Sequence, residues 1–213
     1  MTERETRTMA AWRKGFMARI GHGWPLLGAL ALLGGCISIG GKPPEQLIGL
    51  SAENGPPAGA MPGGRVTEAL LVLDPAADRK IDVTRVAVQV DEAQIAYLKD
   101  AAWVERPARL FRRLLAETIR AKGRRLVLEG SDEDTGAKTT LAGRLIECGY
   151  DARSRSVVVR YDALLDAGDG TVRAQRFEAV EQGVLPETAS VAPALNRAAN
   201  RVAAQVADWV AQP

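Results

Sequence analysis

The stretch from Thr139 to Gly183, "TTLAGRLIECGYDARSRSVVVRYDALLDAGDGTVRAQRFEAVEQG", constrains the fold more than any other part of the chain. Its middle portion alternates strictly. Val157, Val159, Tyr161, Ala163 and Leu165 share one face, and Val158, Arg160, Asp162 and Leu164 share the other. A period of two is the signature of a strand with one buried face. The flanking "DARSRS" and "DAGDG" are rich in turn formers, so the spacing predicts a three-stranded antiparallel meander. Such a sheet has one core-like face that needs a cover, which helices can supply.

Two helices with suitable apolar stripes are present. "RPARLFRRLLAETIRAKG" (106–123) has Pro107 in its first turn and Gly123 at its stop, and predicts a helix over about 107–122. At 100° per residue, Leu110, Phe111, Leu114, Leu115, Thr118 and Ile119 fall on one side; Arg106, Arg109, Arg112, Arg113 and Arg120 fall on the other. The second helix runs over about 190–211, with Ser190 as its expected cap. Its stripe is Val191, Leu195, Ala198, Ala199, Val202, Val206, Trp209 and Val210, and its small residues suit close packing on a sheet.

Further strands are expected at 46–50, 68–74, 82–90, 94–99 and 124–130. In 82–90, Val86, Val88 and Val90 are placed on one face and Arg85, Ala87 and Gln89 on the other, with a hairpin to 94–99 around Asp91-Glu92. The expected class is α+β, a mainly antiparallel sheet packed against two helices. Between Gly40 and Gly64, 12 of 25 residues are Gly or Pro, which disfavours a helix. The organisation read from these boundaries is a leader at 1–35, a tether at 36–45, and one domain over 46–213 with a Gly/Pro-rich loop at 51–64.

The leader reading comes from "LLGALALLGGC" (26–36). The run is too short to span a bilayer, which needs about 20 apolar residues. It follows a basic segment and ends in two small residues and a cysteine, as a signal peptide does. Residues 1–35 hold five basic and two acidic side chains, +3; the remainder holds 23 and 24, −1. The basic balance thus belongs to the leader, which argues against a nucleic-acid partner for the folded part. The run resembles a bacterial lipobox, and that resemblance makes Cys36 the site of lipid attachment and first residue of the mature chain. Ile37 follows it where an Asp would favour the inner membrane, so the expected location is the outer membrane, lipid-anchored and facing the periplasm.

Little catalytic chemistry is on offer. His22, the only histidine, lies in the leader, so a Ser-His-Asp or Cys-His arrangement has no imidazole in the mature chain. No metal site and no cofactor are expected, and the phosphate-binding glycine motifs are missing. Cys148 reads as a small apolar strand residue. Asp132, Glu133 and Asp134 read as a solvated turn rather than a calcium loop. Residues 106–125 hold eight Lys or Arg against Glu117. Arg106, Arg109 and Arg113 on that face, with Trp103 beside it, are the candidate contacts to an acidic partner or anionic headgroups. A plain solvated helix face, with Trp103 and Trp209 in the core, is the other reading.

The chain resembles the ABC-type transport auxiliary lipoproteins, which accompany MCE-type (mammalian cell entry) lipid transport systems of Gram-negative envelopes. The resemblance lies in the lipobox with Cys36, then "QLIGLSA", "AAWVERPARLFRRLLAETI", "RYDALL", "RFEA" and "ALNRAANRVAAQVADWV", in that order and spacing. The family commonly has an aromatic residue in the strand after the tether, where this chain has Ile48-Gly49. The resemblance implies a non-catalytic accessory subunit without cofactor. Its implied partners are an MCE-domain protein with its ABC permease and ATPase, the membrane through the N-terminal lipid, and further copies of itself. A structural or assembly envelope lipoprotein with no transport role is the alternative. A hydrolase would need two converging carboxylates around Asp132 or Asp162.

Overall fold

The computed structural model describes residues 46–59, 63–123, 125–130 and 135–212. The leader with His22, the tether with Cys36, and Asp132, Glu133 and Asp134 lie outside the described residues.

The meander forms as its alternation requires. β7 (Thr139–Asp151), β8 (Ser156–Asp166) and β9 (Val172–Gln182) pair antiparallel in order. All five inward residues of β8, Val157 to Leu165, are buried. The other strands are β1 (Leu47–Ile48), β2 (Leu70–Leu73), β3 (Ala76–Ala77), β4 (Arg85–Gln89), β5 (Ile95–Trp103) and β6 (Val127–Gly130). The second edge of β7 is shared end to end by three of them. β2 takes Thr139 to Leu141, β3 takes Arg144 and Leu145, and β4 takes Gly149 to Asp151. β6 lies beyond β2, and β5 then β1 lie beyond β4.

The α+β class holds, but the sheet is mixed rather than mainly antiparallel. Five of the described pairings are parallel: β1·β5, β2·β6, β2·β7, β3·β7 and β4·β7. Three are antiparallel. The physical reason is connectivity. Hairpin-joined neighbours run antiparallel, whereas strands far apart in the chain arrive by crossovers and run parallel.

Both helices lie in the expected places. α1 spans Pro107–Ala121 and buries Leu110, Phe111, Leu114, Leu115, Thr118 and Ile119. Gly123, at φ +65°, ends it with its N–H on the Arg120 carbonyl. α2 spans Thr188–Val210 and starts ahead of Ser190, with Glu187 flanking it. The Thr188 hydroxyl turns to the Lys99 and Asp100 carbonyls of β5 instead of capping the helix. The whole predicted stripe of α2 is buried, with Ala194, Ala203 and Ala207 added. Two edge-to-face ring pairs join layers: Phe111 with Tyr161 at 5.2 Å and Phe177 with Trp209 at 5.6 Å.

In β4 the expected alternation holds: Val86 and Val88 face the core, and Ala87 pairs with Gly149 on the outer face, while Val90 is exposed. The register shifts between Arg85 and Ala87, and Val90 already belongs to the hairpin turn, its N–H on the Gln94 carbonyl. The partner strand continues past Lys99 to Trp103, with an irregularity at Asp100, whose φ is +54°.

The segment entering the domain is fixed at two levels. β1 pairs with Ala102 and Trp103. Beyond it, Asn200 of α2 accepts from the Glu53 N–H at 2.8 Å and donates to the Ser51 carbonyl at 2.8 Å, while Asn196 accepts from the Ser51 N–H at 2.9 Å. The two amides treat the strap as a neighbouring strand would.

Gly143 makes the central packing possible. A Cβ there would lie 2.2 Å from the Asp162 carbonyl oxygen and 2.5 Å from Tyr161 Oη. Tyr161 crosses that bare backbone, and its hydroxyl donates to the Ala142 carbonyl at 2.7 Å. Replacing Gly143 with Ala is expected to destabilise the domain by about 2–4 kcal/mol in urea unfolding, since neither the carbonyl nor the ring can retreat.

Candidate docking surfaces

The expected basic face of α1 is largely neutralised by acids from other elements. Arg112 meets Asp74 at 3.0 Å and Glu129 at 3.4 Å; Arg120 meets Glu117 and Glu129, each at 2.8 Å. Their side chains are 18% and 10% exposed, so they lie inside this network and not on the open face. Arg106, Arg109 and Arg113 do point outward, at 61%, 59% and 49% exposure. Arg106 faces Asp82 at 3.5 Å, and Glu105 is shared by Arg109 and Arg113. Trp103 is 2% exposed, paired in register with Ile48, and is therefore a core residue rather than a surface contact. Trp209 is likewise buried.

A second surface leaves little mark in the sequence. Both helices pack on the same side of the sheet, and among the described residues no helix covers the outer face of β7, β8 and β9. Two rows of charge cross it at right angles to the strands. One runs Asp78, Arg144, Asp162, Arg176; the next runs Lys80, Glu147, Arg160, Glu178. Neighbours along each row are cross-strand partners or in direct contact. Arg144 pairs in register with Asp162, and Asp162 holds Arg176 through two bonds of 2.6 and 2.7 Å. Asp78 contacts Arg144. In the second row Lys80 meets Glu147 at 2.5 Å and Arg160 meets Glu178 at 2.5 Å. Signs alternate along and between rows, and the eight charges sum to zero.

Electrostatics follow from that layout. The hydrogen bond from Arg176 holds the Asp162 carboxyl below its ordinary range, with the charges of Arg176, Arg160 and Arg144 adding to the effect. Arg144 and Arg176 are pushed up in turn, by Asp78 and Asp162 respectively.

Beside the charge rows runs an uncharged one: Val180, Val158, Gly149, Ala87 and Tyr97, paired in register across five strands. Its centre is the floor of a depression of about 390 Å³, walled by Lys80, Glu147 and Arg160 on one side and Asp91, Asp151 and Arg153 on the other. Gly149 is obligatory there, since a Cβ would sit 2.4 Å from the Ala87 carbonyl oxygen. Cys148 points the other way, into the core, where burial and then the charge of Glu147 push its thiol up to about 12. It is an inert packing residue.

Among the described residues no cluster of His, Cys, Asp or Glu could hold a metal ion, and no helix is long and apolar enough to cross a membrane. Asp162, the carboxylate singled out for a hydrolytic pair, faces Arg176 and Arg144 rather than a second acid.

The described residues thus form a mixed sheet backed by two helices, with an open face of self-compensated charge. The lineage of the chain is shown by comparison. The chain matches the family described as the ABC-type transport auxiliary lipoprotein component over residues 50–207, and it belongs to that family. None of the curated proteins compared matches it. Among solved structures it is similar to protein XCC0632 from Xanthomonas campestris, at 19% identity and a TM-score of 0.63, covering 78% of this chain and 94% of that one. It is also similar to an uncharacterised protein, at 15% identity and a TM-score of 0.57, covering 68% and 94%. These likenesses concern the fold.

The sign of the pH dependence follows from Asp162. Its folded pKa is lowered, so its contribution to stability is present above the ordinary Asp value of 3.8 and is lost as the pH falls through the folded value. Asp162→Asn is expected to be less stable than the parent near neutral pH and equal to it in strong acid, as read by urea midpoints at both ends.

Proposed function

We propose that the protein is a non-catalytic, lipid-anchored accessory subunit of an MCE/ABC-type system that moves phospholipid between membranes, docking the transporter at the periplasmic face of the outer membrane. Family membership supports the transport-accessory part of this reading. The lipobox-like run ending at Cys36 supports the anchor.

The observation that carries the docking role is the open sheet face. A carrier that enclosed an acyl chain would need a deep apolar cavity. The depression on this face holds about 390 Å³ and has charged walls, so it offers a polar contact surface with a narrow uncharged strip. The exposed guanidinium groups of Arg106, Arg109 and Arg113 add a second contact, fitted to an acidic surface of the MCE-domain partner, with Glu105 holding two of them in place.

Crosslinking in intact envelopes followed by affinity purification tests the reading. The expected catch is an MCE-domain protein together with its permease and ATPase. Recovery of none of the three sinks the transport role. Charge reversal at Arg109 and Arg113 together is expected to cut that recovery about tenfold while leaving the urea midpoint within about 0.5 kcal/mol. Mass spectrometry of the mature protein checks the anchor independently: an acylated Cys36 at the N-terminus is expected, and an unmodified cysteine with residues 1–35 attached overturns it.

A further inference from the structure

Leu47 and Val104 are the most exposed large apolar side chains among the described residues, at 56% each. They are neighbours. β1 pairs parallel with the end of β5, Ile48 against Trp103, and the Val104 N–H continues the ladder to the Ile48 carbonyl at 2.9 Å. Side chains alternate along a strand. Ile48 and Trp103 point into the core, so Leu47 and Val104 point the other way, to the outer face of the sheet. On that face Ala102 stands in register between Leu47 and Arg85, and the Arg85 guanidinium lies 3.7 Å over the Tyr97 ring.

The nearby charges are matched within the domain. Arg106 faces Asp82, and Glu105 is shared by Arg109 and Arg113. What this corner offers is an aliphatic pair flanked by a tyrosine and an arginine. That composition suits the interfacial zone of a bilayer, where aliphatic groups enter while an aromatic ring and a long cationic side chain stay at headgroup level.

Two side chains would not hold a free protein on a membrane, but chain length changes the balance. Only ten residues, 37–46, separate Cys36 from Leu47. That span reaches about 40 Å when fully extended. So short a link keeps the corner at an effective concentration on the order of millimolar beside the leaflet that holds the lipid, and a weak contact becomes populated. Leu185 is 55% exposed, but it lies in the loop before α2, far along the chain from the anchor.

We propose that Leu47 and Val104, with Tyr97 and Arg85 beside them, form the surface by which the domain rests on the phospholipid leaflet that holds its anchor. The proposal rests on the anchor at Cys36 and deepens the accessory role. A domain held at this corner keeps one orientation. β8 and β9, at the opposite end of the sheet order, then stay clear of the membrane and open to a partner.

Fluorescence quenching on the full acylated chain, in vesicles of phosphatidylethanolamine and phosphatidylglycerol, tests the contact. Cys148 is buried with its thiol pushed up to about 12, so one introduced cysteine takes the fluorophore. Gly49→Cys places the probe beside Leu47 without strain, since a Cβ there meets nothing within 4 Å. Leu164→Cys places it on the outer face of β8. Lipid carrying a nitroxide at headgroup level is expected to quench the probe at position 49 and to leave the one at 164 unquenched. Quenching at 49 is expected to persist in high salt, because the contact is apolar. It is expected to be lost in the Leu47→Gln, Val104→Gln double variant. Both side chains are more than half exposed, so that variant is expected to keep the far-UV circular dichroism of the parent. A probe at 49 that stays unquenched on acylated protein overturns the contact and leaves the anchor standing. So does equal quenching at 49 and 164, quenching that salt abolishes, or quenching that the double variant retains. An unmodified Cys36 in the mass spectrum brings down the anchor and the contact together.

Discussion

The burial of one face of β8 against α2 is the contact on which the rest of the structure depends. Val157, Val159, Tyr161, Ala163 and Leu165 bring five consecutive inward positions to a helix whose facing residues are largely Ala and Val. Small side chains on the helix let its backbone come close to the sheet, and the larger strand residues fill the interval at crystal-like density. Once that pair is fixed, β7 and β9 are placed by hairpin geometry. β7 then offers its outer edge as a template on which β2, β3 and β4 arrange themselves, although these strands are too short to stand alone. Gly143 belongs to this constraint: without its bare backbone, Tyr161 could not lie flat enough for Phe111 of α1 to reach it.

Periodicity carried most of this information. The meander, both helices and their buried stripes are legible because each is long and regular enough for one period to dominate. The leftover errors share a cause, which is that partners distant in the chain leave no local trace. Strand direction in the β2, β3, β4 and β6 region depends on crossovers, so a largely antiparallel sheet was the natural expectation from hairpins alone. The arginines of α1 look like a bare basic face in a twenty-residue window, since Asp74, Asp82 and Glu129 come from outside it. In β5 the residues between Tyr97 and Ala102 outnumber their partners in β4, with Asp100 at φ +54°, and no local pattern announces that irregularity.

The outer charge rows leave only a weak signal in the sequence. Arg160 with Asp162, and Arg176 with Glu178, stand two apart with opposite sign, which puts unlike charges side by side on the exposed face of adjacent strands. The pattern is blurred in β7, where the register shift between Leu145 and Glu147 spaces Arg144 and Glu147 by three. Read one strand at a time, such residues look like ordinary solvated positions. Their meaning appears only when the register is known.

That register also decides what field the open face presents. A face of one sign would attract any counter-charged surface and would be screened by salt. A neutral checkerboard has almost no field at a distance, because each charge is offset by the two or three opposite charges beside it. Close up, it is demanding: a partner shifted by one position meets like charges in every row, whereas a partner in register extends every row. The energy gained per exposed pair is small, so the pattern contributes little to how tightly a partner holds and much to which alignment it adopts. The same argument separates the two sides of the domain. The covered face supplies stability through apolar burial, and the open face carries the balanced charge rows.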